Sequence, residues 1–199
     1  VVHVQRRSAR LGGAANVALN LHALGATPVV VSTIGNDTAG TDMVRCFDEA
    51  GLYAAGLVRS DQRPTSVKTR VISGHQHVVR VDEESTAELS AAEENALLLR
   101  IEEQITRHEP AVLVIEDYDK GVLTERTIAD ILVLAQRHAI PVTVDPKHRN
   151  FLRYKGVALF KPNVKELREG LKVDVNGADL DSVRNAVHHL ERTLGNTAT

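Results

Sequence analysis

The sequence predicts an α/β fold: a mostly parallel sheet with helices on both faces, plus a small antiparallel β flap. Three observations predict it. Short apolar runs alternate with helix-period segments, which implies right-handed βαβ units and a parallel sheet. One stretch, residues 66–82, switches to a two-residue period and reads as a hairpin through Gly74-His75. Polar clusters follow successive strands, at the strand ends where ligands bind in such sheets.

In chain order, Val1-Val2-His3-Val4 reads as a strand already under way, and Arg10 to Asn16 forms a glycine-containing corner before a helix at 16–24. Val17, Leu21 and Leu24 share one face of that helix, and Gly25 is placed to end it. Pro28 to Ile34 is a continuous β-branched run of the kind buried on both faces of a parallel sheet. A second helix near 39–50 turns Met43, Phe47 and Ala50 inward. Within the hairpin, alternation sets Lys68, Arg70 and Arg80 among apolar neighbours. Ser90-Ala91-Ala92-Glu93 is a capping box for a helix over 91–107, with Leu97, Ile101 and Ile105 inward. Strands at 111–116, 142–145 and 157–160 follow, the first two separated by a helix at 124–138 capped by Thr124. A last helix starts near 164.

The 199 residues are 43% hydrophobic and 25% charged, enough for a sizeable core. A net charge of -2 offers no basic stripe for nucleic acid and no polybasic membrane anchor. No apolar run reaches the ~20 residues that span a bilayer. The lone Cys46 reads as helix packing and fits a reducing compartment, so a cytoplasmic location is expected. The absence of an initial methionine and the stop just after a helical pattern lead us to expect a piece of a longer protein, incomplete at both ends.

Gly12 and Gly13 admit a ligand close to the backbone, and Asn16 brings an amide that donates and accepts at once, as sugar hydroxyls require. Lys120 and Lys147 suit phosphate oxygens, and Asp117 can orient one of them or accept from a sugar hydroxyl. Asn163 and Glu166 lie three residues apart across a helix start and can face one site, where they suit magnesium through its water shell. Such parts serve phosphoryl transfer, which depends on positioning and charge neutralisation more than on a covalent nucleophile. For each cluster the competing reading is surface ion pairing or helix capping. No Walker motif and no protein-kinase glycine loop is present. His75 with His77, and His188 with His189, lack a third ligand at metal spacing.

Leu11 to Ala18, Ile34-Gly35-Asn36-Asp37 with Gly40, and Lys161 to Glu166 resemble the PfkB (ribokinase-like) carbohydrate kinases. Arg63 to Arg70, Gln76 to Asp82, Asp117 to Leu123 and Val144 to Lys147 are similar to the branch that phosphorylates D-glycero-β-D-manno-heptose 7-phosphate at O1 with ATP and magnesium. That resemblance implies a partial ribokinase-like kinase domain over 1–199, with flap strands near 1–7, 53–58 and 66–82. It implies sugar contacts from Gly12, Gly13 and Asn16, with Lys68, Arg70 and Arg80 on or near a flap that often builds a homodimer. It further implies heptose-phosphate contacts from Asp117 and Lys120, nucleotide phosphates near Lys147, and an N-x-x-E element, Asn163 and Glu166, tied to magnesium and the triphosphate. His77 stands where that branch is expected to carry glutamine. The family's G-A-G-D element, which supplies the catalytic base, is not among these residues, nor is the acidic sugar-binding residue of the first strand. The expectation is that these residues alone do not turn over. Alternatives are another ribokinase-like sugar kinase and a non-catalytic sugar-phosphate-binding fragment.

Overall fold

The computed structural model describes residues 3–74 and 76–199. The chain is a mixed α/β protein in two compact units, Val1–Ser85 and Thr86–Thr199, each with its own parallel strands.

The first unit opens with α1 (Ala14–Ala23), whose start is set by Gly13 in a left-handed backbone conformation, φ 54°. α1 buries Ala15 and Ala18. Val17 and Leu21 are only half-buried and Leu24, placed one residue past the helix, is 84% exposed, so the expected apolar face is displaced. The helix begins two residues earlier than its apolar spacing suggests, and small side chains take its closest contact, with Leu11, Phe47 and Leu52. Gly25, φ 89°, closes it as expected: Gly25 N–H donates to the His22 carbonyl and Ala26 N–H to that of Leu21.

The run at 28–34 is regular only at its end, as β1 (Ser32–Gly35), with an isolated parallel bridge from Val29 to Tyr53. α2 (Thr38–Glu49) buries Phe47 and half-buries Met43 and Ala50, as expected. The stretch assigned to the flap near 53–58 instead yields β2 (Leu57–Ser60), which pairs parallel with β1 from Ser32↔Leu57 to Gly35↔Ser60. Residues 3–7 form no strand, while Val1, Val2 and His75 lie outside the described residues. The flap is therefore a single antiparallel hairpin, β3 (Val67–Ser73) with β4 (Gln76–Glu83), kinked by a register shift between Val71 and Ile72. β4 is exposed along its whole length.

In the second unit α3 (Ala91–His108) carries the expected Ser90–Glu93 capping box and buries Leu97, Ile101 and Ile105. β5 (Leu113–Glu116), β6 (Val142–Asp145) and β7 (Leu159–Phe160) form a parallel sheet in that order. α4 (Glu125–Arg137) joins the first two strands with Thr124 as its cap, and Ala198 pairs parallel with Leu159 beside β7. α5 (Val164–Leu171) and α6 (Leu180–Leu194) pack on each other. Tyr154, Phe151, Phe160, Leu190, Val144 and Val175 are fully buried, with the Phe151 and Phe160 rings edge-on at 5.1 Å. No helix among the described residues is long and apolar enough to cross a membrane.

Candidate active site

Within the first unit, candidate residues lie at the start of α1, at the ends of β1 and β2, and on the hairpin. Gly12, Gly13 and Asn16 are all exposed, and Gly13 caps α1 without any side-chain hydrogen bond. The first-turn N–H groups are thus presented by backbone alone. Past β1, Asp37 caps α2 from its extended backbone and accepts from Gly40 N–H at 2.7 Å. Its carboxylate also takes the Thr65 N–H and hydroxyl, both at 2.8 Å, and Thr65 Oγ1 accepts from Gly35 N–H at 2.9 Å. A Cβ on Gly35 would stand 2.4 Å from Asp37 Oδ2, so only glycine fits. The Thr65 N–H, more than the opposing effect of burial, holds the Asp37 carboxyl below the ordinary carboxylate range, with Gly40 adding to it. Asn36 donates to Asp61 at 2.8 Å, and these residues line an open cavity of about 320 Å³ with Ser60, Gln62, Arg63 and Pro64.

Two of the hairpin cations, Lys68 and Arg80, are not left among apolar neighbours as alternation suggests but bind carboxylates of the hairpin and its edge. Lys68 Nζ reaches Asp82 at 3.0 Å and Glu84 at 2.7 Å, and Arg80 grips Asp82 through Nη2 at 2.5 Å and Nε at 2.7 Å. Arg80 and then Lys68 hold the Asp82 carboxyl far below the ordinary range. Arg70 stands directly across the ladder from Arg80 and has no carboxylate partner among the described residues. Asp82 offsets the charge of Arg80, which leaves Arg70 as the member of this opposed pair open to an anion from outside the hairpin.

In the second unit the sheet gathers its polar residues at one end. Glu116 and Asp145, the last residues of β5 and β6, are register partners. Lys161, just past β7, pairs with Asp145 at 3.2 Å, and Lys147 pairs with Glu166 Oε1. Burial, and then the Asp145 charge, push the Glu116 carboxyl up; burial and Glu116 likewise push up the Tyr118 phenol. The Glu166 hydrogen bond holds the Lys147 ammonium above its ordinary value. Burial opposes ionisation of Glu166 most, yet the Asn163 N–H and Lys147 together hold it below the ordinary range.

Asn163 and Glu166 form a reciprocal capping box at the start of α5: the Glu166 N–H donates to Asn163 Oδ1 and the Asn163 N–H to Glu166 Oε2, each at 2.9 Å. Capping and ion pairing thus engage both oxygens of Glu166. Asp117, one residue past β5, is 4% exposed, and its carboxylate accepts from Asn150, Tyr154 and the Asp119 N–H. Lys120 lies three residues on, half-buried. Sequence reasoning passed over Glu116, although an acid closing an apolar strand beside another strand-terminal acid was the available signal. It also passed over Asn150 and Tyr154, for which no local signal existed. Among the described residues no three or more His, Cys, Asp or Glu side chains assemble as a metal cluster.

The description "pfkB family carbohydrate kinase" matches over residues 1–198. The chain is 41% identical over 166 residues to the bifunctional protein HldE of Geobacter metallireducens, covering 83% of this chain and 34% of that protein. It is 37% identical over 200 residues to its namesake from Geobacter sulfurreducens, covering 100% of this chain and 40% of that protein. The chain thus spans between a third and two-fifths of the length of these relatives. Among solved structures, phosphofructokinase-2 from Escherichia coli in complex with fructose-6-phosphate superposes with a TM-score of 0.72 at 21% identity, over 93% of this chain and 59% of that one. A 2-dehydro-3-deoxygluconokinase from Thermotoga maritima gives 0.69 at 16% identity, over 92% and 59%.

Proposed function

We infer the function from this premise: the chain belongs to the pfkB family of carbohydrate kinases. The reading that fits it best is transfer of the γ-phosphate of ATP to O1 of D-glycero-β-D-manno-heptose 7-phosphate. One observation carries the phosphoryl-transfer part: Glu116, Asp145, Lys161, Lys147 and Glu166 meet at the carboxyl ends of three neighbouring strands. Binding of a polyphosphate there exchanges internal ion pairs for phosphate pairs, with Lys147 and Lys161 as the cations released. The sugar-phosphate part rests on the likeness to the HldE proteins and on Arg70, which faces Arg80 in the hairpin and is open to an anionic substrate. On this reading Gly12, Gly13 and Asn16 serve sugar hydroxyls and Lys68, Arg70 and Arg80 an anionic group within the first unit, and Lys120 serves the anionic substrate within the second.

Magnesium, when bound, neutralises phosphate charge. Glu116 and Asp145 offer hard oxygen donors of the kind it accepts as one or two carboxylates beside phosphates and water. Glu166 has both oxygens engaged by Lys147 and the Asn163 N–H, so it would serve such an ion only indirectly. In the reaction the O1–phosphorus bond forms as the bond from the γ-phosphorus to the bridging oxygen of ADP breaks, and the O1 proton leaves to a base. The residues named here bind and neutralise; none of them is assigned that proton. The test is to supply the complete protein with ATP, magnesium and the heptose 7-phosphate, then ATP and magnesium with fructose 6-phosphate or ribose. ADP release with the heptose is expected. Turnover of fructose 6-phosphate or ribose in its place moves the protein to another branch.

A further inference from the structure

The loop Asp117–Gly121 joins β5 to the turn before α4 and contains both residues expected to meet the heptose phosphate. The two are placed very differently. The Asp117 carboxylate is inside the unit: Oδ2 accepts from Tyr154 Oη at 2.6 Å and from Asn150 Nδ2 at 3.1 Å, while Oδ1 accepts from the Asp119 N–H at 2.8 Å. Asn150 and Tyr154 are 3% and 0% exposed. Asn150 also donates to the Leu123 carbonyl at 2.9 Å, on the far side of the loop. The Tyr154 ring packs against Phe160, with centroids 6.3 Å apart, and so anchors the hydroxyl to the core.

The loop is held in a form it does not adopt for free. Asp119 has φ 54°, left-handed for a non-glycine residue, and its Oδ1 is buried with no hydrogen-bond partner. Gly121, φ 75°, lies so close to the Ala87 carbonyl that a Cβ would stand 1.9 Å from its oxygen, and its own carbonyl accepts from the Leu89 N–H at 3.1 Å. A backbone in such conformations persists only where its surroundings over-determine it, and strain of this kind gathers at functional sites.

We propose that Asp117 does not touch substrate but acts with Asn150 and Tyr154 as a set of positioning residues, which fixes the loop and thereby the place of Lys120. This rests on the reading above that Lys120 meets the anionic substrate. Tyr154 is the informative member, because it stands 37 residues from Asp117 in the sequence and is fully buried.

The test compares the complete protein with its Tyr154→Phe and Asp117→Asn variants, by amide hydrogen exchange and by steady-state kinetics. Tyr154→Phe keeps the ring and removes one hydroxyl. Both variants are expected to exchange the amides of 117–121 about tenfold faster, with exchange in α3 and α6 unchanged, and to raise KM for the sugar phosphate about tenfold, with KM for ATP and kcat within about twofold. If Asp117 is a direct ligand, Asp117→Asn raises KM while loop exchange stays at wild-type rates and Tyr154→Phe is silent; that result overturns the proposal. Faster exchange across the whole unit, or a loosened loop with an unchanged KM, also overturns it. Loop exchange is read without substrate, so inactivity of the wild type on the heptose phosphate would refute the functional reading and leave the exchange comparison to decide the role of Asp117 in the loop.

Discussion

Asn16 sits in the first turn of α1 with its side chain exposed, three residues after a cap that contributes no side chain of its own. Its amide is therefore not spent on the helix, and its removal touches ligand binding more than folding. Asn16→Ala should raise KM for the sugar phosphate about tenfold, leave KM for ATP within about twofold and shift Tm by no more than about 2 °C. Isothermal titration with the nucleotide checks the second point, and equal loss of both ligands would mark a folding defect instead. At this scale the sequence was legible where a residue's role is local. The Ser90 and Thr124 caps and the Asn163–Glu166 spacing declare themselves within four positions, and the structure fills in only which partner each takes. Asp117 was not legible, because its partners Asn150 and Tyr154 are 33 and 37 residues away and nothing local foretells the burial that joins them. The capping box also shows how one pattern serves two ends: the same Glu166 that suits a phosphate site accepts from the Asn163 N–H at the start of α5.

At the scale of elements, the hairpin β3–β4 shows both what alternation reveals and what it hides. A two-residue period located the two strands within a residue or two, since side chains on an exposed ribbon must alternate. The same reasoning could not assign β2, whose four residues pair in parallel with β1; such a partner is set by a crossover through α2 and leaves no local trace. A two-stranded ribbon alone in water is marginal, and this one leaves Ile72, Val78, Val79 and Val81 between 46% and 56% exposed. The ribbon's ion pairs are surface pairs and contribute little. A covering partner is the stabilising solution, and a second copy of the chain is the one we expect. Sedimentation of the complete protein should show a dimer that Val79→Glu with Val81→Glu converts to monomer. A wild type that sediments as a monomer, or a double variant that remains dimeric, would place the interface elsewhere.

For the whole molecule, carboxylates that the fold holds away from their ordinary values, Asp37, Glu116 and Glu166 among them, link stability to acid. Asp37 and Glu166 are held below their ordinary values of 3.8 and 4.5, so each stabilises the fold above that value and loses its contribution as pH falls through the lowered native value. Lys147 is raised above 10.5, so its contribution is whole at neutral pH and is lost only as pH climbs through the raised value. Glu116 has the opposite sign from Asp37 and Glu166. Burial beside Asp145 raises its native value above 4.5, so its ionised form costs stability at neutral pH and the fold gains as pH falls through the raised value. A half-buried charge kept at a cost, at a strand end that faces two lysines, is the pattern of a site retained for function. Glu116→Gln should therefore raise Tm by about 1–3 °C at pH 7, lose that advantage near pH 4, and reduce turnover by the complete protein. Melting curves at pH 7 and pH 4 beside a kinase assay decide it: a lower Tm at pH 7 would mean that Glu116 is a structural partner of the lysines, and unchanged turnover would remove it from the site.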